Sequence, residues 1–199
     1  MVMDAVKICA VFLLIVAVAG CSDEIPPDTT IEESQGFYPW SPDGVIAEDE
    51  YAKSLSVNDG NFVIHWRFVN ETIFLGLETT SSGWAGIGFE PTNRMKDADI
   101  ILGGTVDGIP YIYDMFSTGI TGPHPRDTEL GGTFDILEFN AIEQADGTVV
   151  EFSRRTDTKD PYDKVLAAGT EVTIIWAQAD TDAPLFKHNT GKGSETIIL

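Results

Sequence analysis

From about Tyr38 onward, apolar and polar side chains alternate along this chain. Phe62, Ile64, Trp66 and Phe68 interleave with Val63, His65, Arg67 and Val69, the two-residue period of a strand with one face buried. Further β-rich runs follow at Thr72–Glu78, Gly83–Phe89, Asp99–Val106, Pro110–Phe116, Phe134–Ala141, Thr148–Ser153, Glu171–Gln178 and Glu195–Leu199. Turn-forming residues separate them, among them Asn58-Asp-Gly60, Asp107-Gly108 and Asp146-Gly147. No window sustains a helical period with caps. Roughly eight to ten short strands at this spacing predict an all-β chain folded as an antiparallel β-sandwich. The stretch Thr118–Gly132, containing Pro123-His124-Pro125, is the longest irregular one, and long loops on a rigid sandwich are where ligands sit. Asn70-Glu71-Thr72 falls between two strand runs, so Asn70 is a candidate glycosylation site if the chain is exported.

The first residues follow a different pattern. The apolar run from Ile8 to Val18, preceded by Lys7, is too short to span a bilayer as a mature helix and has the build of an export signal. It closes on Val18-Ala19-Gly20-Cys21, which resembles the lipobox of prokaryotic lipoproteins. The resemblance implies cleavage before Cys21 and a lipid on its thiol. An ordinary signal peptide with Cys21 incidental, and an uncleaved anchor, are the alternatives. The segment from Ser22 to Gln35 is acidic, contains two prolines and has almost no large apolar residue, so it cannot bury enough surface to order itself. The expected organisation is a signal peptide over 1–20, an acidic tether from a lipidated Cys21 over 21–37, and a globular domain over 38–199. All three readings of the amino terminus place that domain outside the cytoplasm, and the lipidated form holds it on the outer side of a cell membrane.

Composition narrows the chemistry. Twelve basic residues stand against 32 acidic ones, a net charge of −20, which argues against nucleic acid because phosphate binding needs a basic patch. Such a surface keeps an exported domain soluble and steers it toward basic partners. Cys9 and Cys21 are the two cysteines, so nothing downstream forms a disulfide, a zinc–thiolate site or an iron–sulfur cluster. The Cys-x-x-Cys-His attachment of c-type haem is missing. So are the Gly-x-Ser-x-Gly elbow, His-Glu-x-x-His, the Walker loop and the EF-hand loop. Asp157, Asp160 and Asp163 are spaced like calcium ligands, although acidic loops are more often simply solvated.

Few ligand donors remain. His65 lies opposite the apolar face of its strand and is expected to be a hydrogen-bonded surface residue. His124 lies in the long loop, and Met115 in a core strand. Met95 is different: it sits in the polar connection Pro91–Asp97, where a thioether has no packing reason. His188 occupies a similar connection before the final strand. The glycines of Gly83-Trp-Ala-Gly-Ile-Gly-Phe89 lie in a strand pattern and are expected to allow close backbone approach.

Six segments, in order, carry a family resemblance: Gly83–Phe89; Met95-Lys-Asp-Ala-Asp-Ile-Ile101; Tyr113-Asp-Met-Phe-Ser117; Val150-Glu-Phe-Ser-Arg154 with Thr156–Asp160; Ile175-Trp-Ala177; and His188-Asn-Thr-Gly-Lys-Gly193. Together, over roughly residues 58–199, they resemble the DOMON domain. The resemblance implies an immunoglobulin-like β-sandwich that binds haem b or, in some members, sugars. It is similar to the cytochrome domain of cellobiose dehydrogenase. In haem-binding members the iron is held by a methionine and a histidine at the positions of Met95 and His188, and both types are retained here. Without Cys-x-x-Cys-His the haem b would be noncovalent. Phe89, Phe116, Phe186, Trp84 and Trp176 are candidate pocket walls, with core packing the alternative for each.

The resulting expectation is an exported, lipid-anchored b-type haem domain acting in one-electron transfer, not itself an enzyme. Its donor and acceptor would be separate proteins or small molecules, since no dehydrogenase domain or later apolar span accompanies it. Two alternatives stand beside it: a haem-free module binding a carbohydrate or similar ligand, and an accessory subunit of an oxidoreductase.

Overall fold

The computed structural model describes residues 39–184 and 186–199. Ten strands build the described domain: β1 (Lys53–Val57), β2 (Phe62–Val69), β3 (Thr72–Thr79), β4 (Ala85–Phe89), β5 (Asp99–Val106), β6 (Ile109–Phe116), β7 (Ile136–Gln144), β8 (Gly147–Arg155), β9 (Glu171–Gln178) and β10 (Gly191–Ile198). One short helix, α1 (Asp127–Leu130), lies within the long loop. Every pairing between strands is antiparallel, in two five-stranded sheets ordered β1-β2-β3-β8-β7 and β10-β9-β4-β5-β6. This is the all-β sandwich that the alternation predicts. No helix among the described residues is long and apolar enough to cross a membrane.

The core forms where the inner faces meet. Phe62, Ile64 and Trp66 of β2, and Ile73, Leu75 and Leu77 of β3, pack with Ile87 and Phe89 of β4, Ile101 of β5 and Ile174 and Trp176 of β9. Each set is spaced by two, so a single pleat delivers all its members to one side. The sheets approach closely at Gly103, where an added Cβ would lie 2.5 Å from Val150 Cγ1. The hairpin between β5 and β6 turns on Asp107 and Gly108, at φ of 54° and 74°, the left-handed pair that a tight two-residue hairpin requires. Asn70 occupies the β2–β3 turn, exposed and at φ of 52°.

The outer face of the first sheet is covered by residues 40–51. Trp40 meets Phe74 edge-on at 4.8 Å and donates from Nε1 to the Tyr51 hydroxyl at 2.8 Å. That hydroxyl donates to Glu151 at 2.9 Å, and the Gly44 amide donates to the other Glu151 oxygen at 2.7 Å. Burial pushes the Glu151 carboxyl up to about 7, against the lowering effect of these two bonds.

Several strands differ from the pattern-based expectation. β1 carries only two apolar residues in five and escapes the alternation test. β10 begins at Gly191 instead of Glu195, because it is an edge strand whose first residues need no apolar side. β7 begins at Ile136, leaving Phe134 exposed in the loop.

Candidate functional site

The second sheet is apolar on both faces. Ile100 and Leu102 of β5 alternate with the core residue Ile101 and therefore point outward. They form a second buried cluster with Trp84, Ala98, Met115 and Ala179, flanked by Tyr111, Tyr113, Ile175 and Ala177. Pairing explains why these residues meet: Ile175, Gly88, Ile100 and Met115 lie in one row across the sheet, and Ala177, Gly86, Leu102 and Tyr113 in the next. The two central glycines leave the middle of each row without a side chain. A Cβ at Gly88 would meet Ile175 Cγ1 at 2.8 Å, whereas one at Gly86 would meet only ordinary contacts, the nearest at 3.4 Å. Beside this face, Gly83 allows the backbone approach that its sequence suggests. Its Cβ would lie 2.3 Å from Thr181 backbone atoms.

Two loops leave this sheet at opposite ends. The β4–β5 connection departs where Phe89 pairs with Ile174, and the β9–β10 connection where Gln178 pairs with Ala85. Four residues of strand separate the two levels, about 13 Å at ~3.3 Å per residue. The first loop carries Met95 in a tight turn: the Thr92 amide donates to Lys96 O at 2.8 Å, the Ala98 amide to Met95 O at 3.1 Å, and the Asp97 amide to Ser117 O at 2.8 Å. Arg94 and Asp97 take φ of 56° and 62°. The second loop carries His188 and is tied down by the Asp180 amide donating to Asn189 Oδ1 at 3.1 Å and by the Ser81–Thr190 hydroxyl pair at 2.6 Å. The side chains of both Met95 and His188 are half-buried.

Burial, with the positive charges of Lys192 and Lys187, holds the His188 imidazole below the ordinary histidine range. It is therefore neutral at pH 7 and keeps a ring-nitrogen lone pair for a metal. His124 is shifted the same way, by burial and then by His188 itself, so the long loop brings a second imidazole into electrostatic reach of the first. The loop returns onto β6 through the Phe116 amide donating to Pro125 O at 3.0 Å, and Arg126 lies 4.3 Å above the Tyr113 ring. Three buried polar atoms in this region, Trp84 Nε1, Tyr111 Oη and His124 Nδ1, have no hydrogen-bond partner among the described residues. Burial, followed by Tyr113 and Asp182, pushes the Tyr111 hydroxyl far up, so it remains a proton donor.

The candidate walls divide between the two faces. Phe89 and Trp176 belong to the inter-sheet core, Trp176 stacking on Phe62 at 5.4 Å. Phe116 packs on Tyr162 at 5.3 Å. Trp84 alone of the five joins the outer cluster, and Phe186 is exposed two residues from His188. Met115 is buried, but outside the inter-sheet core. His65 is hydrogen-bonded as expected, 3.0 Å from Glu78 Oε2. The calcium-like triad disperses: Asp157 is exposed and pairs with Lys159, Asp160 accepts from the Thr133 hydroxyl at 3.0 Å, and Asp163 turns inward to Arg154. Cys21 and the tether lie outside the described residues. Two open grooves, of about 300 Å³ beside His65 and about 580 Å³ between Thr105 and Gln144, lie away from Met95 and His188.

Alternation alone hides the outer-face cluster, because β5 is buried on both sides. A run such as Asp99-Ile-Ile-Leu102 is the available signal.

A β-sandwich module offering one apolar sheet face between two loops is the class that this fold and site define. The chain belongs to the DOMON family, whose domain matches residues 58–179. It is 34% identical over 145 residues to mouse DBH-like monooxygenase protein 1, covering 71% of this chain and 22% of that protein. The human protein of the same name is 30% identical over 151 residues, 74% of this chain and 24% of its own length. The chain thus spans less than a quarter of these relatives. Among solved structures it resembles the cytochrome domain of Myriococcum thermophilum cellobiose dehydrogenase, with a TM-score of 0.52 at 16% identity over 74% of this chain and 81% of that one. At that identity the likeness concerns the fold.

Proposed function

We propose that this chain is an exported b-type haem domain that carries single electrons, and that Met95 and His188 would hold the haem iron. The observation that carries the reading is the apolar outer face of the β4–β5–β6–β9 region, with a half-buried thioether and a neutral imidazole in the loops at its two ends. The face suits an apolar group in composition: Ile100, Leu102, Met115 and Ile175 supply contact, and Gly86 leaves room in the middle of its row. The orphaned Trp84 Nε1, Tyr111 Oη and His124 Nδ1 suit the polar edge of such a group, a carboxylate above all. Haem so bound supplies one-electron redox chemistry, and methionine–histidine ligation raises its potential. The chain's own part is to fix both donors on hydrogen-bonded turns, keep His188 deprotonated and exclude water from the face. The fold likeness to a cytochrome domain supports the reading.

Within this proposal the domain is a module and not an enzyme. Donor and acceptor are separate proteins or small molecules, and one of them can be an oxidoreductase it serves as accessory subunit. Lipidation of Cys21 would hold it at a membrane surface, with residues 22–37 as the tether. The haem-free alternative, a carbohydrate module, draws on the same orphaned donors, which would bond sugar hydroxyls.

The test is expression with the export segment in a host supplied with haem, followed by reduced and oxidised spectra of the purified protein. A six-coordinate spectrum is expected, lost in Met95→Ala, with weakened haem retention in His188→Ala. A protein that stays colourless after reconstitution refutes the cytochrome reading and favours the sugar module. Cys21→Ser should release the protein from membranes, and persistent association would refute lipidation there.

A further inference from the structure

At one end of the space between the sheets lies a group of acids that the haem reading leaves unused. Asp99 at the start of β5 and Asp114 on β6 both point inward, where strands ordinarily present apolar side chains. Asp163 joins them from the 157–164 segment and Asp127 from α1. Asp99, Asp114 and Asp127 are fully or almost fully buried. One carboxylate oxygen from each of Asp99, Asp114 and Asp163 lies within 4.8 Å of the other two. Oxygens that share one calcium ion at 2.3–2.6 Å can be no further apart than about 5 Å, and calcium takes six to eight of them.

The one guanidinium among them does not balance the group. Arg154 reaches Asp99 Oδ2 at 2.8 Å and Asp163 Oδ1 at 3.3 Å. The Lys164 amide donates to the same Asp99 oxygen at 2.9 Å, and the Asp135 amide to Asp114 Oδ2 at 2.8 Å. Asp99 Oδ1, Asp114 Oδ1 and both oxygens of Asp127 accept nothing from the described residues. Asp127 is the sharpest anomaly, a fully buried carboxyl with no partner whose electrostatic neighbours are Asp114, Asp163 and Asp99. Burial and mutual repulsion push Asp127 up to about 8, and burial pushes Asp114 up to about 7 and Asp163 up to about 6. Four carboxyls against one arginine leave negative charge in excess unless protons or a cation neutralise it.

We propose that Asp99, Asp114 and Asp163 form a binding site for a calcium ion at the end of the sandwich interior, with Asp127 adding negative charge beside it. The donors are hard oxygens with no imidazole or thiolate among them, the set that calcium prefers over transition metals. The open oxygens on three chain segments allow the large, irregular shell that calcium accepts and magnesium does not. A divalent charge offsets what Arg154 leaves. The ion would tie β5, β6 and the 157–164 segment together, and its binding would displace protons, so it weakens as the pH falls from 8 toward 6.

The test uses the full chain freed of metal by chelator and titrated with calcium chloride. Thermal unfolding should shift upward by about 5–10 °C once calcium exceeds its dissociation constant about a hundredfold, with one ion bound per chain by calorimetry. At pH 8, Asp114→Asn should abolish the shift and Asp127→Asn should weaken it, while each raises the melting temperature of the metal-free protein by removing a repelled charge. The wild-type titration decides the matter even if one variant fails to fold. An absent shift overturns the proposal, as does an equal shift with magnesium chloride or with choline chloride at matched ionic strength. A calcium shift that survives both substitutions places the ion elsewhere and equally overturns it.

Discussion

Replacing Arg154 by methionine should be among the most damaging single changes to this domain. The guanidinium is completely buried, 2.8 Å from Asp99 and 3.3 Å from Asp163, and donates to Lys164 O at 2.9 Å. At an effective dielectric of about 20 those two ion pairs carry gross attractions of about 6 and 5 kcal/mol. Most of this is returned when the arginine is hydrated in the unfolded chain, and removing one partner of a buried pair costs about 3–5 kcal/mol net. That is a large part of the 5–15 kcal/mol or so by which a domain of this kind is stable. The loss comes chiefly from what stays behind, since Asp99 and Asp163 lose their buried counter-charge beside Asp114 and Asp127. Urea unfolding at pH 7.5, followed by tryptophan fluorescence, reads it directly. Two controls sharpen the attribution. Adding Asp99→Asn to Arg154→Met should restore about 1–3 kcal/mol by removing a stranded charge, and the penalty should shrink at pH 5.5, where the carboxyls with raised pKa are protonated. A cost below about 1 kcal/mol in the single variant, or no recovery in the double one, would refute the reasoning.

In chelator, the protein's stability should fall as pH rises from about 4 to about 8. Asp114, Asp127 and Asp163 all titrate higher folded than the 3.8 of the free side chain, so their contribution is complete below that value and lost through the folded ones at about 6 to 8; a flat chelator profile by thermal melting would contradict this. Gly103→Ala drives a Cβ to 2.5 Å from Val150 and should cost about 1–3 kcal/mol. Gly108→Ala, which meets nothing within 4 Å, should pay only for its φ of 74°, about 1 kcal/mol; paired urea titrations compare the two. Gly86→Val lifts the floor of the outer face and should lower haem uptake several-fold with little change in melting temperature, and unaltered haem retention by absorbance would place the group off that face.

The amino-acid order by itself determined the class of fold and most strand positions, because a two-residue period is a local property of a half-buried strand. Phe62 to Val69 needs no partner to declare which residues face inward. The same order named Met95 and His188, through a thioether in a polar turn and a family resemblance, without saying what lies between them. Edge strands β1 and β10 were faint because an edge can fold with few apolar residues. Only the tertiary structure decided which side of β4–β5–β9 each apolar residue takes. Ile100, Leu102 and Met115 face out and Phe89 and Trp176 face in, a distinction lost in a strand buried on both faces. Only it gathered Asp99, Asp114, Asp127, Asp163 and Arg154 into one buried group. These residues are spread from β5 to the segment beyond β8, and their meeting depends on pairings between strands that no local pattern records.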